Sequence, residues 1–334
     1  MRRRFIEGPN GSRKGLKERR NRMNLIALKT FETALLETII ETSLLIKQNP
    51  CQYADVLKKK SLYMLFEKTS TRTALAFGLG FNELGGRYFI QRWQDSNFVV
   101  GEIPDETRYV ARNVDIILAR LKRNVDIEAM GSASPIPVIN GCCNKYHPTQ
   151  ALADCMTVKE KFGTYRKTML YVGIWNNVFN SLVASFPRLG GRLIGVCPII
   201  NSAAIAAQEA AEVIRATDNF EFYGRSEITP EKLKKLVDEA DIVYTDTWVD
   251  MEFSNDPGFK GLREERVAIM QPFSITSALL ENSHALVMHD MPIHAGYEIE
   301  REVVERHLGI ILDQAENRRH VAKGIFMHLL GEKA

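Results

Sequence analysis

Residues 61 to 66, SLYMLF, form a short apolar and aromatic run that predicts a buried strand. Directly after it, from Leu75, Leu79 and Leu84 joined by Phe77 and Phe81, apolar residues recur at helical spacing until Gly85-Gly86 supplies a stop. A strand that hands over to a helix within a few residues confines this part of the chain to parallel α/β architecture. The handover itself reads TSTRT, residues 69 to 73. Unsatisfied backbone N–H groups and the positive end of the helix dipole make such a place an anion site. Ser70, Thr71 and Thr73 add hydroxyls, and Arg72 adds a planar fork suited to phosphate. Locally, a hydroxyl-rich helix cap with a surface arginine accounts for the same residues.

The alternation continues on both sides. Residues 30 to 47 predict an amphipathic helix with Leu35, Ile39, Ile40, Leu44 and Leu45 as its apolar face. Residues 91 to 104 read as a loop, 105 to 113 as helix, 115 to 120 as a strand ending at Arg120, and 135 to 138 as a third strand. A helix over 148 to 162 starts on Pro148, stops at Gly163 and bridges two halves. Strands then follow at 168–172, 192–197, 241–245 and 285–288, with helices to about 189, over 202–216, and from Thr229-Pro230 to about 240. A last helix spans 314 to 330. The expected fold is α/β with two domains, each a parallel sheet flanked by helices, linked by interdomain helices. The boundaries predicted are a basic tail over 1–22, a first domain over 23–147, a second over 148–313, and a C-terminal helix over 314–334 that packs back on the first.

Composition removes other classes. Hydrophobic residues make up 45% and charged residues 25%, which suits a globular core. No apolar run approaches the ~18 residues of a membrane span. The five cysteines are odd in number and form no C-x-x-C pair, which predicts a reducing, cytoplasmic setting and no structural zinc. Adjacent Cys142 and Cys143 read as small packing residues. The net charge of +3 is uneven: residues 1–22 carry nine Lys/Arg against two Asp/Glu, net +7, leaving −4 for the remainder. That tail reads as a disordered extension or a start placed too far upstream at a true Met23, with a basic arm or organelle presequence as alternatives. Nothing beyond it resembles a nucleic-acid stripe.

STRT at 70–73, HPTQ at 147–150, YTDTW at 244–248, HDMP at 289–292 and AENR at 315–318 occur in an order similar to that of the aspartate/ornithine carbamoyltransferase family. The last three blocks resemble its ornithine branch, and the likeness runs from about Met23 to the C-terminus. The resemblance implies transfer of a carbamoyl group from carbamoyl phosphate to an amine, by default the side-chain amine of L-ornithine. It implies that Ser70, Thr71, Arg72, Thr73, Arg120, His147, Gln150 and Arg318 bind carbamoyl phosphate. His147 would donate to the carbonyl oxygen and Gln150 would accept from the carbamoyl NH₂. Asn177, Asp246 and Met251 would bind the acceptor, and Arg120, His147 and Asp246 would carry catalysis; Asp250, as a further acceptor contact, and Asp290, as a candidate base, are read from their own chemistry at positions where the family differs. No metal or organic cofactor is implied. A homotrimer is, with residues 91–104 completing a neighbour's site.

Several positions depart from the family pattern. Ala74 and Gly78 replace an arginine–glutamate pair spaced like a helix-surface ion pair. Asp250-Met251 stands where Ser-Met is usual, Asp290 where cysteine is usual, and Ala295 where arginine is common. Were Asp246, Asp250 and Asp290 to converge, they would favour a dication and raise one another's pKa. An acceptor more cationic than ornithine, a putrescine-like diamine, or local drift all fit. GIWNN at 173–177 is no dinucleotide fingerprint, which disfavours a dehydrogenase. A non-catalytic ligand-binding relative is the remaining alternative.

Overall fold

The computed structural model describes residues 23–249 and 257–332. Two parallel sheets organise them. The first half contributes α1 (Thr33–Gln48), β1 (Ser61–Phe66), α2 (Thr71–Glu83), β2 (Arg87–Arg92), α3 (Ile103–Val110), β3 (Ile116–Arg120), α4 (Asn124–Ala133) and β4 (Val138–Cys142). Its strands pair in the order β2-β1-β3-β4. Then come α5 (Pro148–Phe162), β5 (Thr168–Trp175), α6 (Asn177–Val183), β6 (Arg192–Ile200), α7 (Ala207–Ala216), β7 (Phe220–Tyr223), α8 (Pro230–Glu239), β8 (Ile242–Thr245), α9 (Lys260–Met270), β9 (Leu286–His289) and α10 (Arg301–Leu330). The second sheet runs β7-β6-β5-β8-β9. In each sheet the order reverses once, between β1 and β3 and between β5 and β8. Ligands of open α/β sheets bind outside the carboxyl ends of the strands at such reversals.

The two halves are held together by α10, which packs on α1, α2, α5 and β9. Phe326 stands edge-on to Phe77 and Phe81, with ring centroids 5.5 and 4.8 Å apart. Beside them the ammonium of Lys323, 2% exposed, reaches Glu83 at 2.8 Å. At Gly324, α10 comes so close to α1 that a Cβ would lie 2.6 Å from the Ile39 carbonyl and 2.2 Å from the Ser43 hydroxyl. Gly324→Ala is therefore expected to lower unfolding free energy by about 2 kcal/mol or more in urea titrations. Gly309→Ala, on the same helix with open space around it, should be neutral or slightly stabilising.

Five sequence expectations shift. The face of α1 is Leu36, Ile39, Ile40, Ser43 and Ile46, while Leu45 is exposed, because the stripe is set by α10 and not by the count of leucines. On α2, Phe77 and Phe81 are buried but Leu75 and Leu79 are exposed. The strand expected at 135–138 is β4, the fourth of the first sheet, and begins only at Val138, and α10 begins at Arg301, well before residue 314. Finally, β2, α4, β7 and α9 form where no element was expected. The residue 1–22 tail lies outside the described residues. Among those described, no helix is long and apolar enough to cross a membrane.

Candidate active site

The two reversals open onto one cavity of about 480 Å³. From the first sheet, β1 leads into Glu67, Lys68, Thr69, Ser70 and Arg72, and β3 delivers Arg120 and Lys122; from the second, β5 delivers Asn176 and Asn177 and β8 delivers Asp246 and Thr247. His147 at the start of α5, Asp290 after β9, and Arg318 on α10 complete the wall.

One end is cationic. Ser70 is the N-cap of α2, its hydroxyl accepting from the Thr73 N–H at 3.2 Å. Thr73 is fully buried, and its hydroxyl accepts from Arg120 Nη1 at 3.2 Å and Arg318 Nη2 at 2.8 Å. A single threonine thus aligns guanidiniums from β3 and α10 against the first turn of α2. Arg120 keeps its register with Phe66 of β1, while on its other side the pairing steps from Ala119–Asn140 to Arg120–Cys142 and leaves Gly141 of β4 as the extra residue. Arg72 Nη2 donates to the Met291 carbonyl at 2.8 Å. The Nε groups of Arg120 and Arg318 are buried without an acceptor among the described residues, which is the state of a site built for an anion. Burial, then the charges of Arg120 and Arg72, pull the Arg318 pKa down to about 10. Thr71 is exposed and forms no part of the wall, so it can offer only its backbone N–H.

At the base of this end, His147 makes no side-chain cap bond, so the capping role open to it in the sequence is not the one it has. Its backbone N–H donates instead to Ser181 Oγ at 2.9 Å and the Asn177 carbonyl at 3.2 Å. Burial, then Arg318, Arg120, Arg72 and Lys68, hold its pKa well below the ordinary histidine value. The imidazole is therefore neutral and can donate one hydrogen bond without adding charge. Gln150 donates from Nε2 to Asp154 Oδ1 at 2.9 Å, while its Oε1 is buried with no donor.

The other end is anionic. Asp246, 3% exposed, accepts from the Thr247 N–H and from Asn176 Nδ2. Asp290 faces it, and burial, then the Asp246 charge, push the Asp290 pKa well above the ordinary carboxylate value against the pull of Arg72. His289, directly before it, accepts the Met291 N–H at Nδ1 (2.9 Å) and so presents an Nε2–H to Glu298, 3.2 Å away. These bonds fix the turn that carries Asp290. Asn177 donates its amide N–H to Cys142 Sγ and the Cys143 carbonyl. Cys142 consequently belongs to the cavity wall, whereas only Cys143 behaves as the packing residue expected of both. Asp250 and Met251 lie outside the described residues. Glu67, Lys68, Lys122 and Asn176 line the cavity although sequence reasoning passed over them. The first two sit between SLYMLF and TSTRT, and Asn176 is an asparagine at a strand-to-helix handover, a usable signal.

Among the described residues no cluster of His, Cys, Asp and Glu is arranged to hold a metal. A cavity with arginines and a helix N-terminus at one end and two carboxylates at the other suits a site that holds an anionic ligand against a cationic one. Residues 23–160 match the family model described as the carbamoyl-P binding domain of aspartate/ornithine carbamoyltransferase, and residues 166–329 match its Asp/Orn binding domain. The chain belongs to the aspartate/ornithine carbamoyltransferase family, and is a carbamoyltransferase. It is 34% identical over 316 residues to the ornithine carbamoyltransferase of Methanocaldococcus jannaschii, covering 93% of this chain and 100% of that one. With the Methanopyrus kandleri ornithine carbamoyltransferase it shares 34% over 314 residues, 92% and 97% of the two chains. The solved ornithine carbamoyltransferase of Pyrococcus furiosus superposes with a TM-score of 0.80 at 33% identity, over 94% of this chain and 98% of that one.

Proposed function

We propose that this carbamoyltransferase uses the side-chain amine of L-ornithine as acceptor, giving citrulline and phosphate. The observation that carries the reading is the meeting of Arg72, Arg120 and Arg318 with Asp246 and Asp290 around one cavity. In this reading the phosphate of carbamoyl phosphate lies on the first turn of α2 and the guanidiniums. Arg120 and His147 donate to the carbonyl oxygen, where charge grows in the tetrahedral intermediate. Gln150 Oε1 accepts from the carbamoyl NH₂. Asp246 holds one ammonium of the acceptor, and Asp290 takes a proton from the reacting one, freeing its lone pair. The amine nitrogen then bonds to the carbonyl carbon, the C–O bond to phosphate breaks, and the second proton on that nitrogen passes to the departing phosphate, which leaves onto the arginines. The protein is assigned as a cytoplasmic homotrimer, with domain boundaries at 147 and 313. Val99 and Val100, 55% and 86% exposed in the segment 91–104, support a subunit contact there, and a sedimentation mass of three chains is its check.

A second reading rests on the carboxylate pair. The acceptor-side wall formed by Asn176, Asn177, Val178, Asp246, Thr247, Asp290, Met291 and Pro292 contains two acids and no lysine or arginine. A diamine without a carboxylate, or a shorter diamino acid, suits such a wall. Purified protein assayed by ureido colorimetry with ornithine, lysine, putrescine and 2,3-diaminopropionate decides between them. Preference for ornithine by about tenfold or more in kcat/KM upholds the first; preference for putrescine or the shorter diamino acid replaces it with the second. No product with any of them leaves a ligand-binding relative.

A further inference from the structure

Asp154 lies one helical turn beyond Gln150 on α5 and is fully buried. Three donors from three elements converge on its carboxylate: Gln150 Nε2 at 2.9 Å, Gln314 Nε2 of α10 at 2.7 Å and the Tyr244 hydroxyl of β8 at 3.2 Å. Gln314 also donates to the Tyr244 hydroxyl at 3.2 Å, and its Oε1 accepts the His289 N–H at 2.9 Å. An amide has two unlike ends, and only an acceptor at position 154 obliges Gln150 to turn its NH₂ inward and leave Oε1 as the open acceptor. The same carboxylate, through Gln314, braces the strand end from which Asp290 projects. The charges around it are Arg318 and Asp290, with Cys155 and Tyr244 as its titratable neighbours.

We propose that Asp154 is a positioning residue that sets the Gln150 amide toward the carbamoyl donor and, through Gln314, ties that setting to the acceptor-side turn at His289–Asp290. The inference rests on the reading of Gln150 as the acceptor for the carbamoyl NH₂. A group at 154 without an acceptor oxygen would let Gln150 flip and leave the amide donors of Gln150 and Gln314 without a partner, since both reach the same Asp154 Oδ1. Burial raises the Asp154 pKa to about 7 despite those bonds, so its removal relieves a charge that folding disfavours.

The test compares Asp154→Leu, Asp154→Asn and Gln314→Met with the parent, as full chains, by calorimetry with carbamoyl phosphate, steady-state kinetics and thermal melts. Asp154→Leu removes the acceptor and should weaken carbamoyl phosphate binding and lower kcat, each by about tenfold, whereas Asp154→Asn keeps an oxygen for Gln150 and should hold donor affinity within about threefold. Because both remove a negative neighbour of Asp290, both should also move the acidic limb of kcat/KM to lower pH. Gln314→Met leaves the Gln150–Asp154 bond in place, so the acceptor KM should rise several-fold with donor affinity kept within about twofold. Parent-like donor affinity and kcat in a folded Asp154→Leu overturn the proposal while the carbamoyltransferase reading stands. So does Gln314→Met losing donor and acceptor binding equally, a result that serves alone if Asp154→Leu does not fold. A parent protein that neither binds nor transfers the carbamoyl group removes the underlying reading, and the proposal with it.

Discussion

Arg72→Ala should reduce kcat/KM for carbamoyl phosphate by about 10³-fold, close to 4 kcal/mol of transition-state stabilisation. Arg72 stands in the first turn of α2, where the helix dipole already favours an anion and the low local dielectric strengthens each charge–charge contact. Its guanidinium also donates to the Met291 carbonyl, so the truncation frees the turn that carries Asp290. Electrostatics compound the loss. Arg72 holds the Asp290 pKa down against burial and Asp246, so in its absence that pKa climbs further and the acidic limb of activity moves to higher pH. Arg72→Lys keeps the charge but not the fork, and is expected to lose about 10²-fold without the full shift of the limb. Calorimetry with carbamoyl phosphate and a pH series of initial rates read both effects. Donor affinity equal to the parent's in Arg72→Ala would remove the cationic end of the cavity from the donor site.

How far this arrangement could be read beforehand depends on how local each part is. The passage from β1 into α2 was legible because strand, cap and helix lie within a short span, and each obeys its own pattern. Arg120 at a strand end and His147 before Pro148 were legible as positions at element ends. That they share one cavity with Arg318 was suggested by family resemblance and not by periodicity. The edge strand β2 was invisible because nearly all of it is exposed, which erases the alternation that marks a half-buried strand. Leu75 and Leu79 show the converse failure: helical spacing marks a possible apolar face, but α10, far away in sequence, decides that Phe77 and Phe81 form the buried one. The same distance hid the Asp154 clamp, whose donors come from α5, β8 and α10 and share no sequence signal.

Asp290→Asn is expected to lower kcat/KM for the acceptor at pH 7 by about 10²-fold or more, while making the protein more resistant to unfolding. Both signs follow from one displacement. Burial and the Asp246 charge raise the Asp290 pKa, so the native state holds a proton that the unfolded chain releases near the ordinary aspartate value of 3.8. Stability from that proton is present below the unfolded pKa and is lost as pH rises through the folded one. Above that point the ionised carboxylate is a burden that asparagine, of nearly equal size, does not carry. The variant should therefore melt higher than the parent at alkaline pH, with the gap closing toward pH 4. In catalysis the ionised carboxylate is what removes a proton from the bound ammonium, so parental activity should rise through the Asp290 titration and then level. Without it, only the fraction of acceptor already neutral in solution reacts. The rate of Asp290→Asn should climb about tenfold per pH unit toward the pKa of a free alkylamine, roughly 10. Parallel profiles for parent and variant would show that the proton leaves by another route, and would reduce Asp290 to a binding group for the acceptor's charge.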